Sequence, residues 1–107
     1  MIKAFISCPM RGRDSKDIIK SREEAFSKLK ERLNTDDIIL IDSYIPAFDM
    51  PASTHPGVDK DIYCMGRSII KMSEANIVAF AEGWENARGC RIEHDIALDY
   101  GLKTILL

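Results

Sequence analysis

The sequence predicts a three-layer α/β fold: a parallel sheet of about four strands in the order 2-1-3-4, flavodoxin/Rossmann-like, with helices on both faces. Three observations predict it. Short apolar runs alternate with stripes of helical period, giving the element order βαβαβαβ over 107 residues. The early runs are continuously apolar rather than alternating, as befits strands covered on both sides. Right-handed crossovers in the order 2-1-3-4 also set the two most polar loops, after the first and third strands, side by side at a switch point. A ligand site is expected there.

Taken in order, Ile2 to Ser7 form the first strand, and residues 8–14 form a loop in which Pro9 and Gly12 break any regular element. A helix follows, capped by Asp14 or Ser15 and ended by Asn34, with Ile18, Ile19, Arg22, Ala25, Phe26, Leu29 and Leu33 on one face. Ile38-Ile39-Leu40-Ile41 make the second strand. The composition then changes: Pro46, Pro51, Pro56 and Gly57 build a long irregular segment carrying Tyr44, Phe48, Met50 and His55. A loop that long in so small a domain is expected to serve as a lid or binding wall. Ile62, Met65, Ile69 and Met72 give the stripe of a second helix. Ile77-Val78-Ala79-Phe80-Ala81 form the third strand, which runs through a polar loop into a third helix. There Ile92, Ile96 and Tyr100 recur at fours with Ala97 beside them, and Gly101 ends the helix. Lys103-Thr104-Ile105-Leu106-Leu107 make the fourth strand.

The length fits one domain over residues 1–107. A net charge of -2 argues against a nucleic-acid or membrane surface, and no apolar run approaches a membrane-spanning length. The N-terminal apolar run passes straight into Cys8-Pro9-Met10-Arg11 without a signal-peptide pattern, so a cytoplasmic protein is expected. Cys8, Cys64 and Cys90 are odd in number and widely spaced, which argues against disulfides and structural zinc. Cys64 and Cys90 read most simply as core residues.

Glu93 falls within about two turns of the third helix's start, on the loop side of the sheet, where the helix dipole favours an anion. A carboxylate held ionised there can act as a nucleophile; the competing reading is an ordinary acid near a helix start. In Pro9-Met10-Arg11-Gly12-Arg13, Gly12 permits close backbone approach and the two arginines can fork onto an anion such as a phosphate. For Arg13, simple solvation is the expectation. Asn86 and Arg88 can add donors, and Arg91 is expected to face solvent or pair with Asp95. His94 points off the face of Glu93 and reads as structural. Trp84 either walls a pocket that stacks a base or covers the sheet edge. Other chemistries fail on spacing. A thiolate phosphate loop starting at Cys8 needs arginine where Asp14 stands, and a dinucleotide-binding glycine fingerprint and a receiver-type acidic cluster are both missing after the first strand.

Two stretches, Ile6-Ser7-Cys8-Pro9-Met10-Arg11-Gly12 and Gly83-Trp84-Glu85-Asn86-Ala87-Arg88-Gly89-Cys90-Arg91-Ile92-Glu93-His94-Asp95-Ile96-Ala97, resemble the nucleoside 2-deoxyribosyltransferase superfamily. The likeness is greatest to its small bacterial and phage-type members, and the spacing of Gly89, Glu93 and Ala97 is its most specific part. The resemblance implies an enzyme acting on the N-glycosidic bond of a nucleoside or nucleotide. Glu93 would attack the anomeric carbon to form a glycosyl-enzyme, which a second base or water then resolves. By the same resemblance the loop after the first strand lines the sugar and base pocket, and Asn86, Arg88 and Gly89 sit where a 5′-phosphate is held. The chain departs from the superfamily at two places. Phe5 stands where a tyrosine is common, so a hydroxyl that would contact the nucleophile is missing. Ser68 stands where an aspartate handles the base, with Asp61 or Tyr63 as the nearest replacements. The implied substrate-binding set is therefore Phe5, Ser7, Cys8, Pro9, Met10, Arg11, Gly12, Asp61, Ser68, Trp84, Asn86, Arg88 and Gly89. The implied partner is a small-molecule nucleoside or nucleotide, with no cofactor, no metal, no nucleic acid and no membrane. The resemblance also implies a homodimer or higher homo-oligomer, since superfamily members build the site across a subunit contact, and with the chain stopping at Leu107 a neighbour is expected to supply the missing wall. The alternative is a non-catalytic sensor module of the same fold that binds a nucleotide or nucleoside.

Overall fold

The computed structural model describes residues 1–9, 13–41 and 59–107. The elements are β1 (Ile2–Ser7), α1 (Ser15–Leu33), β2 (Ile38–Leu40), α2 (Lys60–Met72), β3 (Ile77–Phe80), a single 3-10 turn (Trp84–Asn86), α3 (Arg88–Asp99) and β4 (Lys103–Leu106). The expected lid at residues 42–57, and Met10, Arg11 and Gly12 of the first loop, lie outside the described residues. No helix among the described residues is long and apolar enough to cross a membrane.

The four strands form one parallel sheet in the order β2-β1-β3-β4. Stepping from β1 to β2 and then back across to β3 reverses direction along the sheet. Right-handed crossovers must therefore place α1 on one face and α2 with α3 on the other. The core divides accordingly. Ala4, Ile6 and Ala79 pack with Ala25 and Leu29 of α1, while Phe5, Val78 and Phe80 pack with Met72 of α2 and Ala97 of α3. Alternation along β1 and β3 separates the two sets.

Local signals act where they are written. The Asp14 carboxylate accepts the Asp17 backbone N–H at 2.9 Å and starts α1. Asn34 ends that helix in the left-handed region at φ 53°, and Gly101 does so beyond α3 at φ 72°. The loops after β1 and β3 touch as expected of a switch point: the Ala81 N–H donates to the Ser7 carbonyl at 2.9 Å. Gly83 adopts φ 90° beside Pro9, where a side chain would be strained by its backbone.

Two helical faces differ from the expected ones. On α2, Ile62 of the predicted stripe is 72% exposed, and the buried positions are Ser68 and Met72. On α3 the predicted face is inward only in part: Ala97 is fully buried and Ile96 packs half-buried against the core, while Ile92 is exposed and Tyr100 is 81% exposed. The inward row is Cys90, Glu93 and Ala97. Ala97 lets the helix approach Phe5 and Phe80, with which it shares a core cluster. Ile19 and Ile39 are likewise more exposed than a fully covered stripe or strand implies, Ile39 because β2 is an edge strand.

Candidate functional site

The site is built where β1 ends against the second turn of α3. Ser7 is the last residue of β1 and shares the face of Phe5, two residues before it. Its hydroxyl donates to Oε1 of Glu93 at 2.7 Å. Both residues are buried, at 2% and 6% exposure. Burial pushes the Glu93 carboxyl from 4.5 up to about 7, and the Ser7 hydrogen bond acts in the opposite direction. The group is therefore poised between its acid and its carboxylate near neutral pH. A buried carboxyl with a perturbed proton at a sheet's carboxyl edge is a candidate for chemistry rather than for packing.

Two thiols flank this pair. Cys90, one turn before Glu93, is pushed up to about 11 by burial, with a hydrogen bond to Ser7 lowering it. Cys8, the residue after Ser7 and just past the strand, is raised to about 11 by burial, with Arg22 opposing the shift. Both thiols stay protonated at neutral pH, which removes them as nucleophiles.

Aromatic rings close one side. Trp84 stacks on His94 at 4.3 Å and 28°, and Phe80 meets the His94 ring edge-on at 5.0 Å. Phe80 and Trp84 are themselves 5.4 Å apart. His94 thus turns toward the rings, as its structural reading requires. Trp84 forms an aromatic cap over the end of β3, with one ring face taken by His94.

The remaining predicted residues divide by position. Phe5 is buried in the core below Ser7, Cys8 lies in the core under α1, and Ser68 is buried on α2. Pro9 and Gly89 are half-buried near the loops, and Asn86 is exposed. Gly89 faces α2, since a Cβ placed there would lie 3.8 Å from the Met65 sulfur. Arg88, the first residue of α3, pairs with Asp61 across the surface at 3.6 Å. Arg13 is exposed, yet its guanidinium donates to the carbonyls of Pro9 (3.0 Å) and Asp17 (3.1 Å) and to the Ser21 hydroxyl, stapling the first loop to α1. It is engaged with its own chain rather than merely solvated. Arg91 faces solvent and donates to the Glu85 carbonyl at 3.0 Å.

The hydroxyl that contacts Glu93 is that of Ser7, which sequence reasoning places only in the implied substrate-binding set. Strand alternation carried the signal: a small polar residue at the carboxyl end of the strand, on the face that Phe5 occupies. A wide cleft of about 450 Å³ elsewhere, lined by Ser27, Lys30, Glu31, Asn34, Thr35 and Asp36, lies at the far end of α1 and holds no buried titratable group. The buried carboxyl, Glu93, lies outside it.

Fold and site together define an α/β domain that carries a buried glutamate at the carboxyl edge of a doubly wound parallel sheet. The family described as "Domain of unknown function (DUF4406)" matches residues 2–106, and the chain belongs to it. Neither a curated protein nor a solved structure matches the chain.

Proposed function

We propose that this DUF4406 protein is an N-glycosidase or deoxyribosyltransferase acting on a nucleoside or nucleoside 5′-monophosphate, akin to the nucleoside 2-deoxyribosyltransferase superfamily. The observation that carries the reading is Glu93, buried at the switch point with its carboxyl hydrogen-bonded by Ser7 and raised to about 7. In the ionised form, a Glu93 oxygen attacks the anomeric carbon as the bond to the base nitrogen breaks. The bonding electrons leave with the base, which takes up a proton. Water or a second base then attacks the same carbon and releases Glu93 as a carboxylate. With Ser68 where an acid would stand, the departing base draws its proton from water or leaves as a stable anion.

Arg88 and Asn86 sit at the start of α3, exposed, where the N–H groups of a first helical turn favour an anion. A 5′-phosphate would replace Asp61 as the partner of Arg88. This supports a monophosphate substrate and hydrolysis ahead of transfer. The protein is proposed to work in the cytoplasm as a homodimer or higher homo-oligomer. A second reading, a non-catalytic nucleotide or nucleoside sensor, is favoured by Phe5 and Ser68 in place of the superfamily's hydroxyl and acid.

The test is product analysis over a panel of nucleosides and 5′-monophosphates, with and without a free acceptor base, beside Glu93→Ala. Free base released by the wild type alone is the expected result, and exchange with the acceptor would make the enzyme a transferase. Ligand binding without release from any substrate would replace this reading with the sensor.

A further inference from the structure

We propose that Ser7 is a positioning residue for Glu93: its hydroxyl holds Oε1 in one rotamer and leaves Oε2 as the oxygen that attacks. This deepens the glycosidase reading and rests on it. The Ser7 hydroxyl is 2.7 Å from Oε1, and both side chains are buried. Among the described residues, Ser7 supplies the hydrogen bond to Glu93.

The donor stands on rigid structure. Ser7 pairs in register with Phe80 of β3, and its carbonyl accepts the Ala81 N–H at 2.9 Å. Strand anchoring of this kind fixes a side chain more closely than a loop can. Its single hydrogen is donated to Glu93. Ser7 thereby takes the part of the hydroxyl lost at Phe5, from the next position along the same strand face.

The groups around Glu93 simplify the test. Cys8 just after β1 and Cys90 of α3 are neutral thiols, His94 turns to Phe80 and Trp84, and on the described part of α2 the buried polar position is Ser68, which does not titrate. Burial and the Ser7 hydrogen bond are the two influences on Glu93's proton.

The experiment is an NMR titration of the free protein with isotope-labelled glutamate carboxyl carbons, in wild type, Ser7→Ala, Ser7→Cys and Ser7→Thr. Backbone spectra confirm that each variant is folded. Losing a hydrogen bond to an ionised group moves the Glu93 midpoint up by about one pH unit in Ser7→Ala. Ser7→Cys, a weaker donor of similar size, shifts it by less, and Ser7→Thr restores it. In turnover assays the acidic limb of the kcat/KM profile moves with the midpoint, and kcat falls about tenfold with KM nearly unchanged. A midpoint that stays put in both Ser7→Ala and Ser7→Cys overturns the proposal. If the midpoint moves but the wild type turns over no substrate, the hold of Ser7 on Glu93 stands and the glycosidase reading falls instead.

Discussion

Among the described residues, the two faces of the sheet each bury one charged side chain, and they treat it differently. Under α1, Arg22 is 7% exposed and donates to the backbone carbonyl of Ile41 at 3.1 Å. A guanidinium keeps its charge at any physiological pH, so this contact ties helix to sheet whatever the pH. Under α3, Glu93 is buried to the same degree but is held by a side-chain hydroxyl at the open end of the strands. Its carboxyl titrates near neutrality, so its charge can change while the fold stays the same. One face buries a fixed charge; the other buries a carboxyl whose charge can change.

The sharpest way to break this contrast is to remove each face's key group in turn. Glu93→Ala should lower turnover by roughly a thousandfold while ligand binding persists, as expected when the bond-forming group is deleted. Stopped assays with isothermal titration separate the two effects. On the other face, Leu29→Ala empties a fully buried site and should cost about 2–5 kcal/mol in urea unfolding. The pH midpoint of Glu93 should not move in that variant.

A smaller effect sharpens the comparison by its pH dependence. The Glu93 carboxyl is raised on folding, so the native state holds its proton more tightly than the unfolded chain does. Stability from this group is fully present below about pH 4.5 and is lost as pH rises to about 7. Glu93→Gln, neutral and of the same shape, should therefore be more stable than the wild type at alkaline pH, by up to about 3 kcal/mol. The gain should vanish in mild acid. Thermal melts across pH check the sign, and a gain independent of pH would contradict it. A measured loss of stability on ionising Glu93 would mark the one charged residue in the buried row of α3 as a cost to the fold.

The smallest expected effect is at the surface. Breaking the exposed Arg88–Asp61 pair with Asp61→Asn should change stability by less than about 1 kcal/mol. The same change frees the Arg88 guanidinium and should lower KM for a 5′-monophosphate relative to its nucleoside by a few fold. An equal change for both substrates would separate Arg88 from phosphate binding.

Much of the fold was legible in the chain. Apolar runs, Asp14 and Asn34 around α1, and Gly101 after α3 act through their immediate neighbours, so their effect can be read locally. The handedness of crossovers then sets the strand order and brings the loops after β1 and β3 together. The position of Glu93 near a helix start was equally visible. What the sequence could not decide was which side of α3 faces inward. Periodicity marks Ile92, Ile96 and Tyr100 as a row with Ala97 beside it, whereas in the fold the inward row is Cys90, Glu93 and Ala97, with Ala97 in the core beside Phe5 and Phe80. The Ser7–Glu93 hydrogen bond joins residues 86 positions apart, so it depends on strand register and helix rotation at once. Elements and their order follow from short-range chemistry; the buried contact that shapes the site follows from how whole faces fill space.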